Sequence, residues 1–488
     1  MNKTILLLCA VYYLFSVQGV VDEHPPPEPS LDFHLSEPTK GDLPDMLGRQ
    51  YIRVLTTINH TNFFLDGLKA HGYEYSLLKQ YERKINKGTS RKKLKTVLEF
   101  IPVPRDKLLE DLINGYGDIA AAGLTITPRR QMQVDFTNPY LYDISEILVT
   151  FKDTKPINIR DEMSGKEVFI RKSSSYYESI MALSNMFKLK GKKPVKIVEA
   201  DENLETEDIL EMVNSGAVAM TVCDSHIAEI WSKVLPDIRL YKEITFRKGG
   251  KIAWAVRKGS PVLLKSLNSF IKENKKGTLM GNMFFNRYYE KMDWIKNPLN
   301  GRFEKKAAKI IPIIKKYSRQ YDFDWKLILS MAFQESGLNP GKESPEGAIG
   351  LMQIKPSTAS DPIVDIKYIN KLDNNVHAAV KYLDFIRRHY FTEKDIRPRD
   401  QVRFTLAAYN AGPAKINRAR QRAKRMNLDP NRWFRNVEIA VLRSVGQETV
   451  RYVSNINKYY VIYNNYLGIK ETREMVKEEI QIHGPGAE

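Results

Sequence analysis

The stretch GDIAAAGLTITPRRQMQVDFTNPY, from Gly117 to Tyr140, reads as a buried strand, an exposed turn holding Thr125, Thr127 and two arginines, and a short strand through Asp135 and Phe136. Outward from it, between Gly48 and Asp293, β-rich runs such as YIRVLTT, KTVLEFI, SEILVTF, KEVFI, VKIV, AVAMTV and KIAWAVR recur. Helical stretches such as RDKLLEDLING and ETEDILEMVNS separate them. Strands alternating with amphipathic helices predict an α/β architecture with largely parallel sheets. No phosphate-cradling glycine loop occurs in this part, so a nucleotide-binding reading loses its main support.

The whole chain has 488 residues, 42% hydrophobic and 27% charged, a composition that excludes a disordered chain and a polytopic membrane protein. Its length predicts two or three domains. Lys3 followed by the apolar run Ile5 to Val21, with Gly19 as a cleavage point, predicts a secretory signal over 1–19; an uncleaved anchor is the alternative. The chain is then exported, to the periplasm and to a place peripheral to the outer membrane. Residues 20–46 hold six prolines and predict an extended linker. The α/β unit is expected over 47–297, an all-helical unit over 298–469, and a frayed tail over 470–488. Only Cys9 and Cys223 exist, which excludes a disulfide scaffold.

The Gly117 to Tyr140 stretch resembles the extracellular solute-binding proteins of the polar amino-acid type, and the resemblance returns in SGAVAMTVCDS (Ser215 to Ser225) and GGKIAWAVRKGSP (Gly249 to Pro261). It implies a two-lobed, periplasmic-binding-protein-like α/β domain closing on an amino-acid or muropeptide ligand. By the same resemblance Arg130 grips a ligand carboxylate, for which its planar fork is suited. Asp224 receives the amino group, and Thr125 and Ser174 offer hydroxyls from the two lobes. Two departures stand out: Arg129 occupies a place where relatives carry an acid, and RKSSSY lacks the usual glycine of the second-lobe turn. The alternative is a domain that kept this fold and lost its ligand.

From Phe303 to Leu467 the period changes to that of helices: FEKKAAKIIPIIKKYSRQY, DWKLILSMAFQES, NNVHAAVKYLDFIRRHY, QVRFTLAAYN and ETVRYVSNINKYYVIYNNYLG. In the second of these, Asp324 is placed to cap the helix, Ile328 and Met331 share a face that Glu335 continues, and Gly337 ends it. A carboxylate on an apolar stripe is costly to bury ionised, and the negative end of the helix dipole adds to that cost. Both effects raise its pKa, as a general acid near neutral pH requires. A solvent-exposed helix-end glutamate is the competing reading of this helix alone.

Three more strings accompany it: ESGLNP from Glu335, Ser344 and Gly347 leading into GAIGLMQI, and AAYNAG at Ala407 to Gly412, with ETVRYVSNINKYY following at Glu448 to Tyr460. In this order they resemble the lytic transglycosylase domain of the all-α goose-lysozyme-like fold. The resemblance implies cleavage of the β-1,4 bond between N-acetylmuramic acid and N-acetylglucosamine without water, giving 1,6-anhydro ends. It makes Glu335 the sole catalytic acid and base, whereas ordinary glycosidases use two carboxylates. Ser344 and Gln353 then line the cleft, Tyr409 and Asn410 flank the acid, Tyr452 faces it, and Met352 supplies apolar wall. Tyr459 and Tyr463 read as core. A hydrolytic muramidase is one alternative, with Glu343 or Glu346 as the extra carboxylate; an amino-acid or peptide receptor with a vestigial lytic domain is another.

The eight histidines are dispersed and none forms an HExxH pair, so neither a metal nor another cofactor is expected. The net charge is +18, and residues 301–488 carry 33 basic against 21 acidic side chains. Eight basic residues crowd into Pro413 to Arg435. Export and the sugar-cleaving strings argue against nucleic acid as partner and for the anionic glycan strands of peptidoglycan.

Overall fold

The computed structural model describes residues 37–66, 69–90, 93–290 and 302–483. The expected signal, most of the expected linker and the expected boundary between 297 and 298 lie outside these residues. The linker's last part is a helix, Leu43–Arg49, because Asp42 and Asp45 form a capping box and Pro44 stands in the first turn, where a missing N–H is harmless. Leu43 and Met46 of this helix are buried.

Eleven strands follow among the described residues: β1 (Tyr51–Thr56), β2 (Phe64–Asp66), β3 (Lys69–His71), β4 (Val97–Pro102), β5 (Ile119–Thr125), β6 (Val134–Phe136), β7 (Leu141–Phe151), β8 (Glu167–Arg171), β9 (Lys196–Ala200), β10 (Met220–Asp224) and β11 (Ile238–Arg257). The main sheet runs β10-β7-β11-β5-β1-β4, with β6 on β11. β1 pairs in parallel with β4 and β5, and β8 with β9. The expectation of largely parallel sheets fails at the centre, where β11 is antiparallel to β5, β6 and β7. An intervening helix dictates parallel pairing between strands adjacent in sequence. β7 and β11 lie far apart in the chain and escape that constraint.

These two long strands join two lobes. The end of β11 pairs with β5 and β6, while its start and the end of β7 belong with β10. Each lobe buries its sheet under helices, with Trp254, Tyr73 and Tyr81 among the largest fully buried side chains.

The C-terminal part is helical: Arg302–Gln320, Trp325–Ser336, Leu372–Tyr390, Pro398–Ala411, Pro413–Arg425 and Glu438–Ser444, then a terminal helix, Gln447–His483. The Trp325–Ser336 helix packs on both its predecessor and the terminal helix. Trp433, fully buried, meets Phe404 edge-on with ring centroids 6.0 Å apart.

The terminal helix corrects the frayed tail expected from Lys470, since it continues to His483. Its cations find partners in both lobes. Arg473 donates to the Ile58 carbonyl of the first lobe and to the Asn203 carbonyl of the second, each at 2.9 Å. Lys477 lies 2.6 Å from Asp208 and 3.1 Å from Glu211. Among the described residues no helix is long and apolar enough to cross a membrane.

Candidate active site

Asp324 caps the Trp325–Ser336 helix, accepting from the Lys326 N–H at 2.8 Å, and its second oxygen accepts from Tyr460 at 2.6 Å. Gly337, with φ 64°, closes the helix in the left-handed region that suits glycine. Ile328, Met331 and Ala332 bury one face, and this fixes the outlook of Glu335 one turn further on. The Tyr452 hydroxyl, on the terminal helix, donates to Glu335 Oε1 at 2.5 Å.

Burial pushes the Glu335 carboxyl up to about 7, against the opposing hydrogen bond from Tyr452 and the positive charge of Lys342. Both neighbouring phenols, Tyr452 and Tyr409, are raised well above their ordinary range by burial first and by the Glu335 charge second. Glu335, Tyr409 and Tyr452 therefore form one electrostatic group. It can hold a proton near neutral pH and give it away. Glu343 and Glu346 are exposed on the following loop.

That loop is held from within. The Ser344 hydroxyl accepts from the N–H groups of Glu346 (3.2 Å) and Ala348 (3.1 Å). Gln353, at φ 47°, donates its amide to the carbonyls of Lys342 and Gly350, both at 2.9 Å. Met352 is fully buried, which corrects its reading as cleft wall: its side chain is core, and its carbonyl accepts from the Tyr409 hydroxyl at 2.9 Å. Asn410 accepts from Thr449 at 2.7 Å, which ties the Pro398–Ala411 helix to the helix of Tyr452. Tyr463 is core as expected, and Tyr459 packs edge-on against Phe333 at 4.9 Å.

Three residues of this site escape the sequence reading. Lys342 reaches the Glu335 carbonyl as well as its carboxyl's field, and no periodicity marks it. Thr449 lies in the first turn of a helix read for its tyrosines. Asn375, 1% exposed, accepts from the Met352 N–H at 2.8 Å and donates to the carbonyls of Ile349 and Ile369, both at 3.0 Å. A polar residue on the apolar stripe of Ala378, Ala379 and Leu383 was its available signal.

In the α/β part, Thr125, Arg130, Ser174 and Asp224 line one cavity at the junction of the lobes. The expected exposed turn is a short helix, Pro128–Gln131, capped by Thr127, and Arg130 is buried rather than exposed. Its guanidinium donates to the Thr125 carbonyl and, across the lobes, to the Ser173 carbonyl, both at 2.9 Å. The Ser174 hydroxyl caps its own helix. Asp224 Oδ1 is buried without a hydrogen-bond partner, and burial, then Glu146, lifts its carboxyl to about 7. Arg105 of the first lobe meets Glu205 of the second at 2.6 Å. No cluster of three potential metal ligands occurs among the described residues.

Residues 53–286 match the family of bacterial extracellular solute-binding proteins, family 3, and residues 312–430 match the transglycosylase SLT domain. An ancestral arginine-binding protein bound to arginine aligns with 49% of this chain and 98% of its own, at 24% identity and a TM-score of 0.41. A membrane-bound lytic murein transglycosylase F of Desulfosudis oleivorans is 30% identical over 429 residues, covering 84% of this chain and 89% of that protein. One from Pseudomonas putida (strain W619) is 28% identical over 435 residues, with 84% of each chain covered. Spanning both units in a single alignment, these likenesses place the chain in the membrane-bound lytic murein transglycosylase F family.

Proposed function

We propose that the chain is a peptidoglycan lytic transglycosylase, cutting the β-1,4 bond between N-acetylmuramic acid and N-acetylglucosamine and leaving 1,6-anhydromuramyl ends. The observation that carries this reading is the partly buried Glu335 carboxyl held by Tyr452, within the segment that matches the transglycosylase domain. Glu335 gives its proton to the glycosidic oxygen as the bond to C1 breaks. The resulting carboxylate keeps the Tyr452 hydrogen bond. It then takes the proton of the muramyl C6 hydroxyl, whose oxygen closes onto C1. One carboxylate serves both steps because the nucleophile comes from the substrate. Ser344, Gln353, Tyr409 and Asn410 bind the sugars around it.

Digestion of purified sacculi followed by mass spectrometry tests this. Anhydromuramyl ends are expected, and reducing muramyl ends alone would instead establish a hydrolase. Glu335→Gln is expected to lose about 10²–10⁴-fold in rate, as removal of a general acid does. Full turnover by that variant would remove Glu335 from its role.

The α/β unit binds a small amino-acid or muropeptide ligand in the cavity of Thr125, Arg130, Ser174 and Asp224. The support is the partnerless Asp224 oxygen, an acceptor suited to an ammonium group. Calorimetry with amino acids and cell-wall peptides checks it, and silence across the panel would mean a fold retained without a ligand. The units act after export, in the periplasm and at the periphery of the outer membrane. The apolar run after Lys3 supports that location.

A further inference from the structure

A cavity of about 320 Å³ lies between the α/β unit and the helical unit, apart from both sites above. Eight of its lining side chains are Lys or Arg and three are Asp or Glu. Some of this charge is compensated: Arg49 is paired with Asp118, and Arg397 and Arg403 share Asp400. Lys93, Lys95 and Arg451 are exposed and have no ionic partner among the described residues. The first turns of two helices also line the space, Pro398–Ala411 and Gln447–His483, and the former has no side-chain cap. Helix N-termini add positive potential there.

Apolar side chains share the rest of the wall with Gln50, Gln447 and Ser454. Leu94 and Val97 come from one unit, Leu442 and Val450 from the other. Tyr51 carries the Arg49 guanidinium over its ring at 4.7 Å, and Phe434 carries that of Arg403 at 4.3 Å. Two non-glycine residues with left-handed backbone, Gln50 (φ 65°) and Arg435 (φ 61°), face this cavity from opposite units. Such conformations cost energy and concentrate where a binding site is shaped. Arg435 Nε donates to the Arg49 carbonyl at 3.1 Å and so bridges the units beside the cavity. Burial raises the Glu438 carboxyl to about 7, which weakens the negative share of the lining near neutrality.

We propose that this interdomain cavity is a binding site for a small amphipathic oxyanion, a carboxylate or phosphate borne on an apolar body. The guanidinium and ammonium groups take the oxyanion, and the aliphatic and aromatic walls take the body. A cavity of this size, in which convergent charges meet apolar walls, is of the kind that holds small ligands. The two sources of such a group are a free peptide carboxylate and a phosphate ester of the lipid-headgroup type.

Calorimetry and thermal unfolding of the full chain with N-acetylphenylalanine, phenyl phosphate and inorganic phosphate test the assignment. One-to-one binding of at least one aryl probe is expected, with a rise in Tm, and inorganic phosphate binding more weakly. Which aryl probe binds more tightly assigns the source. The double variant Lys95→Glu, Arg451→Glu, both at exposed positions, is expected to weaken binding by about tenfold or more. Asp224→Asn and Glu335→Gln, in the other two sites, leave it unchanged. Failure of both aryl probes to bind, or affinity untouched by the double reversal, overturns the proposal. Loss of binding on Asp224→Asn or Glu335→Gln overturns it as well, by relocating the ligand.

Discussion

Glu335 sits between two opposed influences, burial that favours its proton and a Tyr452 hydrogen bond that favours its charge. Removing the phenol leaves burial less opposed, so Tyr452→Phe raises the Glu335 pKa. The protonated acid then survives to higher pH. The alkaline limb of the rate profile, expected near 7 in the wild type, moves upward while the maximum rate falls through lost orientation. Lys342→Met shifts the limb the same way, since its charge also favours the carboxylate. A limb that stays in place or moves to lower pH in either variant would show that Glu335 does not set it. The candidate acid is legible in sequence, because a carboxylate on the stripe of Ile328 and Met331 is an energetic anomaly. Its tuning is not: Tyr452 lies 117 residues away and Lys342 acts from an irregular loop.

At the level of elements, the cleft loop depends on the Leu372–Tyr390 helix. Asn375 binds three main-chain groups of its surroundings, and a Cβ at Gly350, which has φ 81°, would fall 2.2 Å from its amide nitrogen. Asn375→Ala leaves these buried groups unsatisfied and is expected to cost about 2–4 kcal/mol, read as a lower midpoint in urea. Gly350→Ala is expected to destabilise comparably, through both the clash and the left-handed backbone. An unchanged midpoint in both variants would exclude this linkage. Asp324→Ala removes a cap and the Tyr460 contact, for an expected loss of about 1–2 kcal/mol. Periodicity reveals such helices well, and caps such as Asp324 and Gly337 mark their ends. The direction of β11 and the use of Asn375 depend on partners distant in sequence, which no local pattern encodes.

Across the whole molecule, the terminal helix carries Tyr452 near its start and reaches both lobes near its end. Burial pushes the Asp208 carboxyl up, yet Arg473 and Lys477 outweigh it and hold the group below its usual value. Its contribution to stability is therefore present near neutral pH and is lost as pH falls through that lowered value. Replacing both cations by alanine leaves a buried charge without its partners, at an expected cost of about 3 kcal/mol. The same double variant is expected to widen the distribution of distances between spin labels placed on the two lobes. An unchanged distribution with an unchanged Tm would mean that the contacts hold nothing together. Charge composition alone reads this segment as a solvated tail, because the acids that match its cations lie in the Thr206–Asn214 helix.

The bridge made by Arg473 also imposes an order on biogenesis. Ile58 and Asn203 are synthesised more than 250 residues before the arginine that ties their carbonyls together. Domains fold as units from the N-terminus during synthesis. The two lobes therefore form first without this tie, and the clasp arrives with the Gln447–His483 helix.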